Sequence, residues 1–230
     1  MELYTGAGTL TVSGAVTVAT DHALTLGSKG TVTGTGVVTS DKIALDAEAA
    51  EVSLTGANKV KNIDGKAKQL TLKNSENLTV GAETGLTTGA GGASLDVTGD
   101  LAVGSTTPLA GGAAAIQNGA GALNLKASGT ITVADAAKIM STGTADTSFE
   151  ANAVNIGAGA KVKTAGGKIN VKTDALSLPS GENGVLSSAN GAVTIETKSA
   201  GKTMSVAVSG SPAANIALAS LDFIDSGTGA

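Results

Sequence analysis

The sequence predicts an all-β chain wound as a right-handed parallel β-helix, a β-solenoid with three short strands per coil and about ten coils over 230 residues. Three observations carry that expectation. Aliphatic residues recur in alternating pairs, which places both members of a pair on one side of an extended strand. Gly, Asn, Asp and Ser fill the intervals, so turn chemistry stands at every corner. The chain has no Trp, one Tyr (Tyr4) and two Phe (Phe149, Phe223), so its 41% hydrophobic content must form a narrow, aliphatic interior.

Taken in order, the pairs are Leu10/Val12, Val16/Val18, Leu24/Leu26, Ile43/Leu45, Val52/Leu54, Leu70/Leu72, Leu78/Val80, Leu95/Val97 and Leu101/Val103. They continue as Leu123/Leu125, Ile131/Val133, Val154/Ile156, Ile169/Val171, Leu176/Leu178, Val193/Ile195, Val206/Val208 and Ile216/Leu218. The residue between the two is usually small, polar or charged, as at Thr11, Asp96, Asn170 and Thr194, and is expected to face outward. No segment sustains a helical period, and the one helical turn anticipated lies near Ala47 to Ala50. Sandwich strands are usually longer and propeller blades carry aromatic motifs, so neither architecture fits.

The stretch "GAKVKTAGGKINVKTDALSL" (Gly159 to Leu178) sets the coil length. Its inward residues Val162, Ile169 and Leu176 fall seven apart, so three steps close a coil of twenty-one residues. At ~4.8 Å per coil this implies a rod on the order of 50 Å long. Lys161, Lys163 and Lys172 then stand on the outer surface, where charge keeps exposed strands soluble and unpaired. "STTPLAGGAAAIQNGAGA" (Ser105 to Ala122) reads as an extended corner, and residues 1–230 read as a single domain.

Composition removes several function classes. All fifteen basic residues are lysine, against nineteen acids and a net charge of −4, which is not the Arg-rich basic face of a nucleic-acid binder. Without cysteine there is no disulfide framework and no thiolate metal site. No run approaches the ~20 apolar residues of a membrane-spanning helix. "MELYTGAG" lacks the basic and apolar regions of a signal peptide, and "DSGTGA" ends without a capping element. The chain is therefore expected to be a fragment of a much longer repetitive protein.

The short motifs favour structure over chemistry. "SAGKT" (Ser199 to Thr203) ends like a phosphate-binding loop, but Glu196 occupies the first glycine position and a strand is expected to follow. "GGASLDVTG" (Gly91 to Gly99, with Asp96) is one imperfect copy of a calcium nonapeptide that works only in tandem. His22 beside Asp21 has no nucleophile-elbow partner. Asp96 and Asp100 are an acid pair without the aromatic platforms and Arg that sugar-cleaving clefts use. Thr9/Thr11 and Thr31/Thr33/Thr35 stand 22 residues apart, near one coil, and are read as outward strand threonines rather than an ice-binding ladder, as are Thr130/Thr132 and Thr142/Thr144. No catalytic, metal-ligating or cofactor-binding residue is assigned, and no enzyme activity or cofactor is expected.

Two segments carry a family resemblance: "KQLTLKNSENLTVGAETGLTTGAGGASLDVTGDLAVGS" (Lys68 to Ser105) and "NAVNIGAGAKVKTAGGKINVKTDALSL" (Asn152 to Leu178). In each, an L-x-L or I-x-V strand leads through a Gly- or Asn-containing corner to another strand. The pattern resembles the β-helical shaft of filamentous-haemagglutinin-like exoproteins, the large adhesins of bacterial two-partner secretion, and autotransporter passenger domains share it. The family's Asn-Pro-Asn-Leu secretion motif is absent from this sequence. The resemblance implies a non-enzymatic rod, secreted or held at the bacterial surface through other parts of the parent protein. Its implied partners are a host or neighbouring-cell receptor or glycan and the adjacent coils of the parent. Unpaired strands at the ends of a solenoid add end-to-end self-association. The alternatives are a self-assembling extracellular filament subunit and, below it, a carbohydrate-active β-helix enzyme.

Overall fold

The computed structural model describes residues 1–105, 107–179, 185–206, 216–218 and 224–225. The first coil is β1 (Glu2–Thr5), β2 (Thr9–Val12) and β3 (Val16–Thr17), and each pairs in parallel with a strand one coil onward. Those partners are β4 (Ala23–Ser28), β5 (Thr31–Gly34) and the start of β6 (Val38–Asn74). The chain thus returns to each of three sheets once per turn. It is a parallel β-solenoid of about eight turns.

Sheet one, begun by β1 and β4, runs through Leu86–Val97 at Leu86, then Ile116–Asn118, Lys138–Ser141, Lys161–Thr164 and Leu186–Ser188. Sheet two, begun by β2 and β5, runs through Gln69 to Asn74 of β6, then Leu123–Ala127, Thr147–Ile156, Ile169–Ser177 and Val193–Glu196. Sheet three, begun by β3, includes Leu78–Val80, Leu101–Val103 and Thr130–Val133. Val162, Ile169 and Leu176 fall on sheets one, two and three in turn, as their seven-residue spacing requires. Val206/Val208 and Ile216/Leu218 lie wholly or partly outside the residues whose side chains are described.

The coil count is lower than ten because coils are longer than twenty-one residues on average. Register partners Leu24 and Ile43 stand 19 residues apart, Glu2 and Thr25 23 apart, and Val162 and Leu186 24 apart. Leu86 and Ile116 are 30 apart, and the extra residues lie in the corner beyond Val103. That corner carries the short 3-10 turn Ala110–Gly112. The extension ends before Ala122, since Ile116–Asn118 is an ordinary strand of sheet one. The helical turn expected near Ala47 to Ala50 is instead strand within β6, because both alanines are fully buried where the chain rounds a tight corner.

The interior is one column of stacked aliphatics. Leu24, Leu26, Ile43, Leu54, Leu70, Leu95, Leu101, Ile131 and Val162 are completely or almost completely buried. Phe149 stacks between Leu125 and Val171 in sheet two and fills the widest part of that layer. Burial of each such side chain stabilises by about 1.5–3 kcal/mol, which a chain of short strands needs to offset ordering.

Not every inward position is aliphatic. At the end of each sheet-one strand the second inward residue is polar, giving a buried column of Thr88, Asn118, Ser141, Thr164 and Ser188. Thr88 Oγ1 donates to Asn118 Oδ1 at 2.6 Å, and Asn118 Nδ2 donates to the Gly121 carbonyl at 2.7 Å. Thr164 Oγ1 and Ser188 Oγ both donate to the Gly167 carbonyl, at 2.5 and 2.8 Å. The reason is general: a corner bends the backbone away from the ladder, and its buried polar groups need partners from side chains. Asn58 does the same between coils, accepting from Val38 N–H at 2.9 Å and donating to three carbonyls.

Candidate functional site

The outward positions of sheet two form two continuous columns. One is small and polar: Ser94, Asn124, Ser148, Asn170 and Thr194 follow one another in register. Two residues along each strand, the other column is charged and alternates in sign. Lys73, Asp96, Lys126, Glu150, Lys172 and Glu196 stand one above the next over six coils. All six are exposed except Glu150, which is half-buried.

Parallel in-register stacking explains the alternation. Directly adjacent strands stand about 4.8 Å apart, so two like charges in one column would repel at every rung. Opposite charges relieve this, and Lys126 Nζ lies 3.8 Å from Glu150. Between the rungs are two shallow grooves that meet at Ser148 and Glu150. One, of about 290 Å3, is lined by Ser148, Glu150, Asn170, Lys172, Thr194 and Glu196 over Phe149 and Val171. The other, of about 240 Å3, is lined by Ser94, Asp96, Asn124, Lys126, Ser148 and Glu150.

The other surfaces use charge locally. Lys61 Nζ contacts Asp41 at 2.6 Å, and this hydrogen bond, with a second from the Asp21 amide, holds the Asp41 carboxyl below its ordinary range and Lys61 above its own. Lys42 pairs with Glu83, Lys66 with Glu48 and Lys68 with Glu51. Corner acids and amides tie coils together: Asn77 Oδ1 accepts from Asp100 N–H at 2.9 Å, and Asp100 Oδ1 accepts from Thr130 N–H at 2.8 Å.

Each motif from the sequence has a place in this frame. "SAGKT" forms a corner in which Asp174 Oδ1 accepts from Ser199 N–H at 2.7 Å, and it leads into the strand Met204–Val206, not a helix. Asp96 of the calcium-like nonapeptide is a rung between Lys73 and Lys126, whereas Asp100 is a corner acceptor, so the two acids have different surroundings. His22 sits on an exposed turn after Asp21, whose φ is 66°. Thr9/Thr11 stack on Thr31/Thr33 in register, and Glu51 and Ser53 continue those columns. Lys163 and Lys172 are exposed and Lys161 is half-buried, stacked on Lys138.

The alternating column was not evident from spacing, because its rungs are separated by 22 to 30 residues. It emerges once the inward aliphatics are used to align the coils. Among the described residues no group of three His, Cys, Asp or Glu side chains is placed to hold a metal ion. No helix among them is long and apolar enough to cross a membrane. No family model, curated protein or solved structure matches the chain.

Proposed function

We propose that this chain is a rigid, non-enzymatic segment of a larger bacterial surface or secreted protein, which holds or contributes an adhesive surface away from the cell. The observation that supports this most is the uninterrupted aliphatic column from the first coil to Leu186, with outward positions given to short polar and paired charged side chains. Such a stack resists bending, since each coil is held to two neighbours by backbone ladders. The test displays the chain on an otherwise non-adherent bacterium and measures attachment to cells and to a glycan array. Attachment above the undisplayed control is expected, and none on any surface would remove the adhesive part of the reading.

A filament subunit is the second reading, favoured by the first coil. Strands β1, β2 and β3 each pair on one side only, and Leu3, Leu10 and Val16 are half-buried around an open groove of about 270 Å3. Tyr4 and Met1 stand exposed beside it. Electron microscopy separates the two: ordered fibres at modest concentration support the filament, and a monodisperse particle removes it.

A further inference from the structure

We propose that the outer surface of sheet two is a self-complementary lateral interface, which docks a second copy of this chain with its rod axis antiparallel. The argument rests on the order of charges in the column and does not depend on the adhesive reading. From one end to the other the rungs are Lys73, Asp96, Lys126, Glu150, Lys172 and Glu196. Read backwards, the signs are inverted at every position.

A two-fold axis lying in the interface, along the strand direction and midway between the Lys126 and Glu150 rungs, reverses the rod but keeps each column over itself. Lys73 then faces Glu196 of the second copy, Asp96 faces Lys172, and Lys126 faces Glu150. All six rungs meet an opposite charge, and the Ser94-to-Thr194 column meets its own hydroxyls and amides, which serve as both donors and acceptors. A two-fold axis along the rod would instead set Lys on Lys and acid on acid at every rung. An odd number of strands would also fail, because the central rung would face itself; the column has an even number, six. The grooves between rungs give the long side chains of the second copy somewhere to lie.

Six strands and about four residues of width cover roughly 350 Å2 on each copy. That is below the size of a stable dimer interface, so the contact is weak, fast and salt-sensitive. It gains strength where several copies act together.

The test is sedimentation of the full chain in a concentration series at low ionic strength and at about 1 M salt, where the screening length falls to about 3 Å. Association at low salt that is lost at high salt is expected. Two double variants then address register: Lys126→Glu/Lys172→Glu and Asp96→Lys/Glu150→Lys. Each alone places like charges at the four central rungs and should associate less than the parent, whereas their mixture restores opposite charge at all six and should associate again. Because stacked like charges within one chain strain the fold, cross-linking supplies an independent readout. Facing sheets stand about 10 Å apart, so a short bis-maleimide is applied to Lys73→Cys protein mixed with Glu196→Cys protein. The mixed product should exceed the Lys73→Cys homodimer severalfold. A chain that stays monomeric at low salt, or equal yields of mixed and homotypic product, would overturn the proposal. So would association that high salt leaves unchanged, because another surface would then be responsible.

Discussion

Asp64 shows how much one side chain carries at a buried corner. It is almost fully buried, and its Oδ1 accepts from the amides of Glu83, Thr84 and Gly85 at 3.0 to 3.1 Å, so one oxygen closes the turn of the next coil. Asp64→Ala strands three donors and should cost about 2–3 kcal/mol in urea unfolding, whereas Asp64→Asn keeps an acceptor and should lose less than half of that. Equal losses from the two would mean that the acceptor is not what matters. At Gly81 the φ of 67° puts the backbone in the left-handed region, and a Cβ there would collide with the Ala115 carbonyl. Asp174 adds a pH dependence. The Ser199 hydroxyl, then its amide, hold the Asp174 carboxyl below its ordinary 3.8. A depressed folded pKa gives stability that is complete above the ordinary value and is lost as pH falls through the folded one. Melting temperature should therefore drop more steeply below about pH 4 in the parent than in Asp174→Asn, and parallel curves would contradict this.

Among strands, the most sensitive layer is sheet two around Phe149. Phe149→Ala should cost about 3–5 kcal/mol, since coils held at a fixed ladder spacing cannot close over the cavity. A loss under about 1 kcal/mol, read by urea midpoint at unchanged m-value, would show that the layer is loosely packed. By contrast, the corner residues 107–114 are mostly exposed, and shortening this excursion to match the neighbouring coils should change stability by less than about 1 kcal/mol. The strands with two inward aliphatics were legible from alternation, and they fall mainly on sheets two and three. Sheet one was largely missed because Leu86/Thr88, Ile116/Asn118, Ile139/Ser141, Val162/Thr164 and Leu186/Ser188 each pair an aliphatic with a buried polar residue. Hydrophobic periodicity cannot register a position whose burial is secured by a hydrogen bond. Ala47 and Ala50 misled for a related reason, since alanine favours helix locally but is also the smallest side chain that fills a corner.

Across the whole molecule, strand pairing between coils sets everything else: the aliphatic column inside, the buried polar column at one corner, and the alternating charges outside. The three-sheet winding was readable because the aliphatic spacing repeats, even though coil length varies from 19 to 30 residues. The charged face was not, because its meaning lies in which coil stacks on which, and that register becomes known only after the corners are placed. The central claim is that sheet two is one straight parallel stack, and a distance between its ends tests this most directly. Thr11 and Thr194 are outward residues on the first and last strands of that sheet, about eight coil steps apart. Spin labels on Thr11→Cys/Thr194→Cys should give a single narrow distance by double electron-electron resonance, centred near about 38 Å at the ~4.8 Å coil spacing. A distance under about 25 Å, or a broad distribution, would contradict the solenoid.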